Sequence, residues 1–122
     1  MNKQDDNFVN YLALSIVAPH GENIAKGIKT LEVRSWKPEQ LPLKNVVIVQ
    51  NYRYLSQQDD QDVGQVMAMV DFGDVHEWRE DEVIAACASH WAWTIQNVRP
   101  IHSIERVAAK RKIYTLRLNE QF

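Results

Sequence analysis

Runs of apolar residues, some continuous and some alternating with polar ones, predict a protein built mainly from β-strands. Residues 11–18 (YLALSIVA) and 45–50 (NVVIVQ) are apolar almost throughout, as expected for strands buried on both faces. Residues 30–36 and 64–72 alternate, so each strand has one apolar and one polar face. In the latter segment, the predicted apolar face consists of Val66, Ala68, Val70 and Phe72. The patterns together predict five or six strands, at residues 11–18, 30–36, 45–50, 64–72, 91–98 and 112–118.

Two short helices are predicted between these strands. Residues 20–27 (HGENIAKG) end at Gly27, a residue type that commonly terminates a helix. Residues 80–90 (EDEVIAACASH) begin with acidic side chains, which the helix dipole stabilises, and a polar loop is expected at 51–64. Because helices interrupt the strands too rarely for a doubly wound fold, the sequence favours an α+β fold, a small mixed β-barrel of five or six strands with two short helices.

The length of 122 residues fits a single domain with a hydrophobic core of its own. We expect an N-terminal tail at 1–10, the domain at 11–118 and a C-terminal tail at 119–122. No apolar run approaches the roughly 18 residues that a transmembrane helix needs, and the first residues lack the pattern of a secretion signal. The expected location is therefore the cytoplasm, without membrane association.

Several kinds of site are excluded by motifs that the chain does not contain. Neither the GxGxxG pattern nor the GxxxxGK[ST] pattern of phosphate-binding loops occurs. The four histidines are scattered without the spacing of metal ligands, and the one cysteine cannot form a zinc site. The sequence therefore predicts no cofactor and no metal ion, and it leaves the oligomeric state open.

Charge is distributed unevenly along the chain, although the formal net charge is only −2. Residues 57–82 contain nine acidic side chains and one arginine, whereas the six basic residues from Arg99 to Arg117 face only Glu105. Such asymmetry can make one surface attractive to phosphates. It is also typical of two solvated loops of opposite charge, and an acidic segment can instead bind a basic protein partner.

A compact polar set lies within residues 27–36 (GIKTLEVRSW). Lys29 follows Gly27, and strand alternation places Glu32 and Arg34 on the same face. In a pocket, Glu32 could accept hydrogen bonds from a base edge or from Lys29. Arg34 could bind a phosphate or hold Glu32 in an ion pair. The same three charges are also typical of an exposed ion-pair network on an amphipathic strand.

Residues 12–36 resemble the opening of the ASCH (activating signal cointegrator homology) domain family. The family pattern is a strand reading roughly LSI, a proline, a short helix and then GxKxxExR. This chain supplies these residues as Leu14, Ser15, Ile16, Pro19, Gly27, Lys29, Glu32 and Arg34. A second segment, WAWTIQNVRPI at 91–101, is similar to the family's strand with the pattern aromatic-W-x-(I/L)-x-N-V-x-P. The resemblance covers about residues 11–118. One departure is His20, which follows Pro19 where relatives often carry an aromatic residue.

This resemblance implies a PUA-like fold, a small β-barrel with helices at its ends, and an association with RNA or, in some members, with DNA. It implies that the three charged residues of GxKxxExR face the ligand. Trp36 and Trp91 are the candidates for stacking on a base, whereas Trp93 is assigned to the core. The predicted nucleic-acid-binding residues are Lys29, Glu32, Arg34, Trp36, Trp91 and Arg99.

Three functions remain open at this point. The leading one is a module that binds RNA, another single-stranded nucleic acid or a nucleotide in a cleft beside the GxKxxExR strand. Some small bacterial relatives hydrolyse acetylcytidine, and other relatives have been linked to ribonuclease activity. An amidohydrolase or a ribonuclease that uses Lys29, Glu32 and Arg34 is therefore an alternative, although the acetylcytidine hydrolases carry a threonine at the position of Glu32. If the protein is an enzyme, Lys29 and Glu32 are the predicted catalytic residues. The third is a protein-interaction module that uses the acidic segment 57–82.

Overall fold

The computed structural model describes residues 8–57, 59–78, 90–103 and 105–119. These residues form seven strands and one short helix, joined by turns and loops. In chain order they are β1 (Phe8–Val17), α1 (His20–Ala25), β2 (Leu31–Arg34), β3 (Leu43–Asn51), β4 (Gln61–Trp78), β5 (His90–Pro100), β6 (Arg106–Lys110) and β7 (Ile113–Asn119). In these ranges no helix has the length and apolar character needed to cross a membrane.

All six predicted strands and the first predicted helix are confirmed. The predicted second helix, at 80–90, lies outside the described residues except for His90, which begins β5. The predicted polar loop at 51–64 is shorter than expected, because β4 already begins at Gln61. The protein is therefore mostly β, with less helix in its described part than the α+β prediction contained.

The strands form one mixed sheet in the order β2-β5-β4-β3-β1-β7, and β6 pairs with the first residues of β4. β1 and β3 are parallel neighbours, and the other pairs are antiparallel. The predicted β-barrel of five or six strands is wrong: the described residues form seven strands, and none of their pairings joins β2 to β7. The four residues of β2 pair with β5, so the sheet ends there instead of continuing back to β7.

The seventh strand, β6, was not predicted because its sequence carries almost no apolar pattern. Of its five residues, RVAAK, only Ala109 is buried. β6 is held by its backbone pairing with β4, in which Gln61 is opposite Lys110 and Gln65 is opposite Arg106. Every residue except proline offers both a backbone N–H and a carbonyl to a neighbouring strand, so a strand held by this pairing leaves little signal in the sequence.

The core is divided between the two faces of β1 and β3. On one face, Leu14 and Ile48 belong to a cluster with Trp93, and on the other face Val47 and Val49 belong to a second cluster. All five side chains are fully excluded from solvent. This confirms that these central strands are buried on both faces and that Trp93 serves the core.

A β-bulge in β4 separates residues that were predicted to share one face. Ile48 of β3 is opposite Ala68, but the next residue, Val49, is opposite Val66, so β4 contains one extra residue here. Ala68 therefore packs in the first cluster and Val66 in the second. The predicted face is correct from Ala68 onward and wrong for Val66, because side chains alternate strictly only while the register is unbroken.

Two further bulges are held by the buried carboxylate of Asp71. Asn45 in β3 and Asn97 in β5 have positive φ values, 57° and 52°, and lie where the register with β4 shifts. Oδ1 of Asp71 accepts a hydrogen bond from the backbone N–H of Asn45 at 2.9 Å, and Oδ2 accepts one from the side-chain amide of Asn97 at 2.8 Å. Because bulges bend a strand and increase its twist, Asp71 stabilises the curl of the sheet.

These donors hold the pKa of Asp71 at about 2, below its usual value of 3.8. The backbone N–H of Asn45 contributes most, followed by the side chain of Asn97, and Arg99 adds a smaller effect. The folded-state pKa is thus lower than the unfolded-state value. The resulting stabilisation is present above about pH 4 and is lost as the pH falls toward 2.

We expect Asp71→Asn to lower the free energy of unfolding at pH 7 by about 2 kcal/mol, because an amide cannot accept hydrogen bonds at both of its terminal atoms. Urea denaturation followed by tryptophan fluorescence measures this change, and between pH 4 and 2 the variant should lose less stability than the wild type. Asp74→Asn, which changes an exposed carboxylate near His76, is the control and should cost less than about 0.5 kcal/mol. Equal losses for the two variants would contradict the role of Asp71.

Candidate functional site

A cavity of about 530 Å³ opens where the carboxyl ends of the parallel strands β1 and β3 lie side by side. Its wall includes Val17 and Asn51 at these strand ends, His20 at the start of α1, strand β2, and the turn between β6 and β7. The volume is within the range of sites that enclose a small organic ligand. This end of the sheet is therefore the candidate functional site.

The short helix α1 sets the position of Lys29 in the cavity wall. Gly21 lies so close to β3 that a Cβ at this position would be 2.9 Å from the Cβ of Gln50. The chain reverses just after the helix at Gly27, whose φ is 76°, which confirms the predicted helix end. The backbone N–H of Lys29 then donates to the carbonyl of Asn23 at 3.1 Å, so that the chain enters β2 at a fixed point.

The carboxylate of Glu32 lies at the centre of the predicted polar set. Glu32 is only 6% exposed, and the pairing of β2 with β5 places it opposite Trp93. Its Oε1 lies 3.4 Å from Nζ of Lys29, and its Oε2 accepts a hydrogen bond from Nε of Arg34 at 2.7 Å. The three charges therefore meet in the cavity wall, and the alternative of an exposed ion-pair network does not describe them.

Arg34 also joins the two distant parts of the sheet that face the cavity. Its Nη2 donates to the backbone carbonyl of Ser15, in β1, at 2.8 Å. Three strands separate β2 from β1 in the sheet order, so this contact requires the sheet to curl until the two strands approach each other. One guanidinium thus connects Glu32 to β1. A lysine has a single compact charge and could not hold both acceptors in this geometry.

Of the two tryptophans predicted to stack on a base, Trp36 lies in the cavity wall and Trp91 does not. The rings of Trp36 and Trp93 are perpendicular, with centroids 4.9 Å apart. The ammonium group of Lys112 lies 5.6 Å from the centre of the Trp36 ring, so a face of this ring is turned toward the cavity. Trp91 packs against the core and has the ammonium group of Lys37 at 4.4 Å from its ring centre.

Three consecutive basic residues that the sequence prediction did not include line the cavity, namely Lys110, Arg111 and Lys112. The pairing of β7 with β1 ends with Leu14 opposite Ile113, which places the preceding turn beside the end of β1. The signal was present as KRK in the basic segment. It could not be assigned to the site because only the β1–β7 pairing brings this turn close to residues some 80 positions earlier.

Positive charge dominates the part of the cavity wall that the structure describes. Five lysine and arginine side chains line it, whereas Glu32 is the single carboxylate among these residues. His20 and His90 add two imidazoles, and Tyr54 adds an exposed aromatic ring. His20 occupies the place where an aromatic residue was expected from the family resemblance. No three His, Cys, Asp or Glu side chains in the described ranges lie close enough together to hold a metal ion.

Arg99, the remaining predicted contact, lies apart from the other candidate residues. Its guanidinium donates to Oδ1 of Asn45 at 3.0 Å and to Oδ1 of Asp71 at 3.2 Å. It is not among the described residues of the cavity wall. The structure thus brings together Lys29, Glu32, Arg34 and Trp36 and places Arg99 and Trp91 elsewhere.

Comparison with known families identifies the kind of domain that the chain contains. A model of the ASCH domain matches residues 14–118, which is most of the chain. The chain belongs to the ASCH domain family. This PUA-like family is often linked to RNA binding. No curated protein matches the sequence.

The two sequence patterns of the ASCH domain have different places in this structure. Lys29, Glu32 and Arg34 of the GxKxxExR pattern line the cavity. Asn97, from the second pattern, has a positive φ and donates to Asp71, so it stabilises a bulge outside the cavity. Asn97 therefore shapes the sheet, whereas the three charged residues of the first pattern line the cavity.

We expect Glu32→Ala to lower the free energy of unfolding by about 3 kcal/mol, because it leaves the partly buried charges of Lys29 and Arg34 without their shared carboxylate. Chemical denaturation measures the change. Glu22→Ala is the matched control, since it removes an exposed carboxylate 3.2 Å from Lys26 and should cost no more than about 0.5 kcal/mol. If the two substitutions cost the same, Glu32 does not organise this end of the sheet.

Proposed function

We propose that this ASCH domain binds single-stranded nucleic acid, in the first place RNA, or a nucleotide, in the cavity beside β2. The observation that carries the proposal is the composition of the wall, in which five described cationic side chains and one carboxylate line the same cavity as Trp36. Such a wall attracts phosphates, and a base can stack on the tryptophan. Membership of the ASCH family supports the same class of ligand.

Glu32 gives this cavity a means of recognising a base edge. A carboxylate accepts hydrogen bonds from amino groups, such as those of adenine, cytosine and guanine. Oε2 is engaged by Arg34 at 2.7 Å, but Oε1 lies 3.4 Å from Lys29, longer than an ordinary hydrogen bond, and so keeps capacity to accept another. In this proposal Glu32 contacts the base, and Arg34 holds the carboxylate in place.

Hydrolysis has less support from the same geometry. An amidohydrolase or a ribonuclease needs a pair of groups that accept and donate a proton. The described wall has one carboxylate, Glu32, so the second group would have to be Lys29 or the imidazole of His20 or His90. A later glutamate could supply a second carboxylate. Glu77, in β4, is not in the described wall, and Glu80 and Glu82 lie outside the described residues. Glu32 is also held by two cations, an arrangement that suits recognition better than proton transfer.

The acidic segment 57–82 also has less support as a docking surface for a basic protein. Most of it forms β4, and Asp71 within it is buried. Asp60 accepts hydrogen bonds from the backbone N–H groups of Ser56 and Gln57 at 3.0 and 2.9 Å. These two carboxylates serve the fold, so they are engaged within the protein and are not left for a partner.

We expect Lys29→Gln to weaken binding of a short single-stranded RNA by about five- to tenfold at low salt, because it removes one positive charge from the wall. Fluorescence anisotropy with a labelled oligonucleotide measures the affinity, which should also fall steeply as salt is added. Lys26→Gln removes an exposed lysine outside the described wall and should leave the affinity within about twofold. The proposal fails if RNA does not bind at low salt, or if the two variants lose affinity equally.

Incubation with acetylcytidine and with labelled RNA, analysed by chromatography, tests the hydrolytic alternatives. We expect no product above the level given by Glu32→Gln, because Lys29 and Arg34 hold the single described carboxylate of the wall as a hydrogen-bond acceptor. Product formed by the wild type and absent with Glu32→Gln would favour an enzyme over a binding module.

A further inference from the structure

We propose that the β6–β7 turn, residues 110–112, is a phosphate subsite, so that the cavity holds a nucleotide by its phosphate and its base at once. This inference rests on the proposed function and specifies its ligand. The ligand is a ribonucleoside monophosphate unit, free or within a strand, and a nucleoside without phosphate is a much weaker ligand.

The backbone of this turn is held in place from two sides. Tyr114, two residues after the turn, has its hydroxyl 2.8 Å from Oγ of Ser15 in β1 and donates to the carbonyl of Ala108 in β6 at 3.2 Å. The pairing of Leu14 with Ile113 fixes the start of β7 beside β1. Cations on a fixed backbone lose less conformational freedom when an anion binds, which favours affinity.

The charges of the turn are available to a ligand. Neither Lys110 nor Lys112 forms an ion pair within the ranges that the structure describes. Arg111 has the carboxylate of Asp60 in its neighbourhood, but the pKa of Asp60 is lowered chiefly by the backbone N–H of Gln57 and least by Arg111. The turn is therefore only weakly neutralised by the described protein.

The other two cations of the wall are already engaged. Lys29 and Arg34 share the carboxylate of Glu32, and Arg34 also donates to the carbonyl of Ser15. A phosphate at that side would compete with a buried carboxylate for both cations. The turn offers the same anion three consecutive cations, and no buried carboxylate among the described residues competes for them, so it is the preferred position for the phosphate.

The position of Lys112 relates the phosphate subsite to the stacking surface. Its Nζ is 5.6 Å from the centre of the Trp36 ring. A nucleotide has a single sugar between its base and its phosphate, so one unit can stack on Trp36 and still reach the turn. A phosphate that draws Lys112 toward itself also clears the face of Trp36, and the two contacts therefore support each other.

Heteronuclear NMR titrations of the full chain with the four ribonucleosides, their 5′- and 3′-monophosphates and a ten-nucleotide RNA test the inference. The test variant combines Lys110→Gln with Lys112→Asn, because asparagine tolerates the positive φ of 57° at position 112. The control combines Lys26→Gln with Lys44→Gln, two exposed lysines outside the described wall. Both variants lose two positive charges, so only their location differs.

We expect the wild type and the control to bind at least one monophosphate about tenfold or more tighter than its nucleoside, as charge-assisted hydrogen bonds to phosphate require. In the test variant this ratio should fall to within about twofold, while nucleoside affinity does not fall, which also shows that the variant is folded. If the RNA binds more tightly than any monophosphate, the bound phosphate belongs to a strand. If the RNA binds equally or more weakly, the ligand is a free nucleotide. Either result supports a ribonucleoside monophosphate unit as the ligand.

Equal affinity of the wild type for nucleosides and monophosphates would overturn the phosphate subsite. If RNA still binds in that case and Lys29→Gln still weakens it, the proposed function stands without the subsite. If neither the RNA nor any smaller ligand binds, the proposed function fails, and this inference fails with it.

Discussion

The ion pairs around Glu32 determine how the cavity is built. β2 has only four residues at one end of the sheet order, so its backbone pairing with β5 is a short attachment. Arg34 adds a second attachment by contacting both Glu32 and the carbonyl of Ser15 in β1. Without the carboxylate, Lys29 and Arg34 would be two like charges in a partly buried space, an arrangement that costs several kcal/mol. The same contacts that fix β2 therefore also present Glu32 to the cavity.

Two carboxylates with similar burial have different consequences in this ASCH domain. Asp71 accepts hydrogen bonds from Asn45, Asn97 and Arg99, and these contacts use its acceptors to fix two bulges. Glu32 has one short hydrogen bond and one longer ion pair, and it lies in the wall of a cavity. Burial alone does not distinguish the structural role of Asp71 from the recognition role that we propose for Glu32. The two carboxylates differ in how many further hydrogen bonds their oxygens can accept and in whether they face a cavity.

The sequence predicted the local geometry of the candidate site where its residues are close together in the chain. Strand alternation placed Glu32 and Arg34 on one face, and Gly27 marked the helix end that positions Lys29. Sequence reasoning missed the KRK turn because its place depends on pairing with a strand far earlier in the chain. It also selected Arg99 from its charge, although a buried partner, Asp71, holds that side chain outside the described wall. The closed barrel was not predictable for a related reason, since strand bulges and the short β2 decide whether the sheet closes.

Chemical-shift mapping of the isotopically labelled protein with a short single-stranded RNA tests the central claim most directly, because it reports the location of binding without any substitution. The largest changes are expected at the backbone amides of Lys29–Trp36 and of residues 110–113, and at the indole N–H of Trp36. Residues around Asp71 and Arg99 should change little. Changes centred on Arg99, or the absence of changes at both cavity segments while RNA is bound, would contradict the assignment of the cavity as the nucleic-acid site.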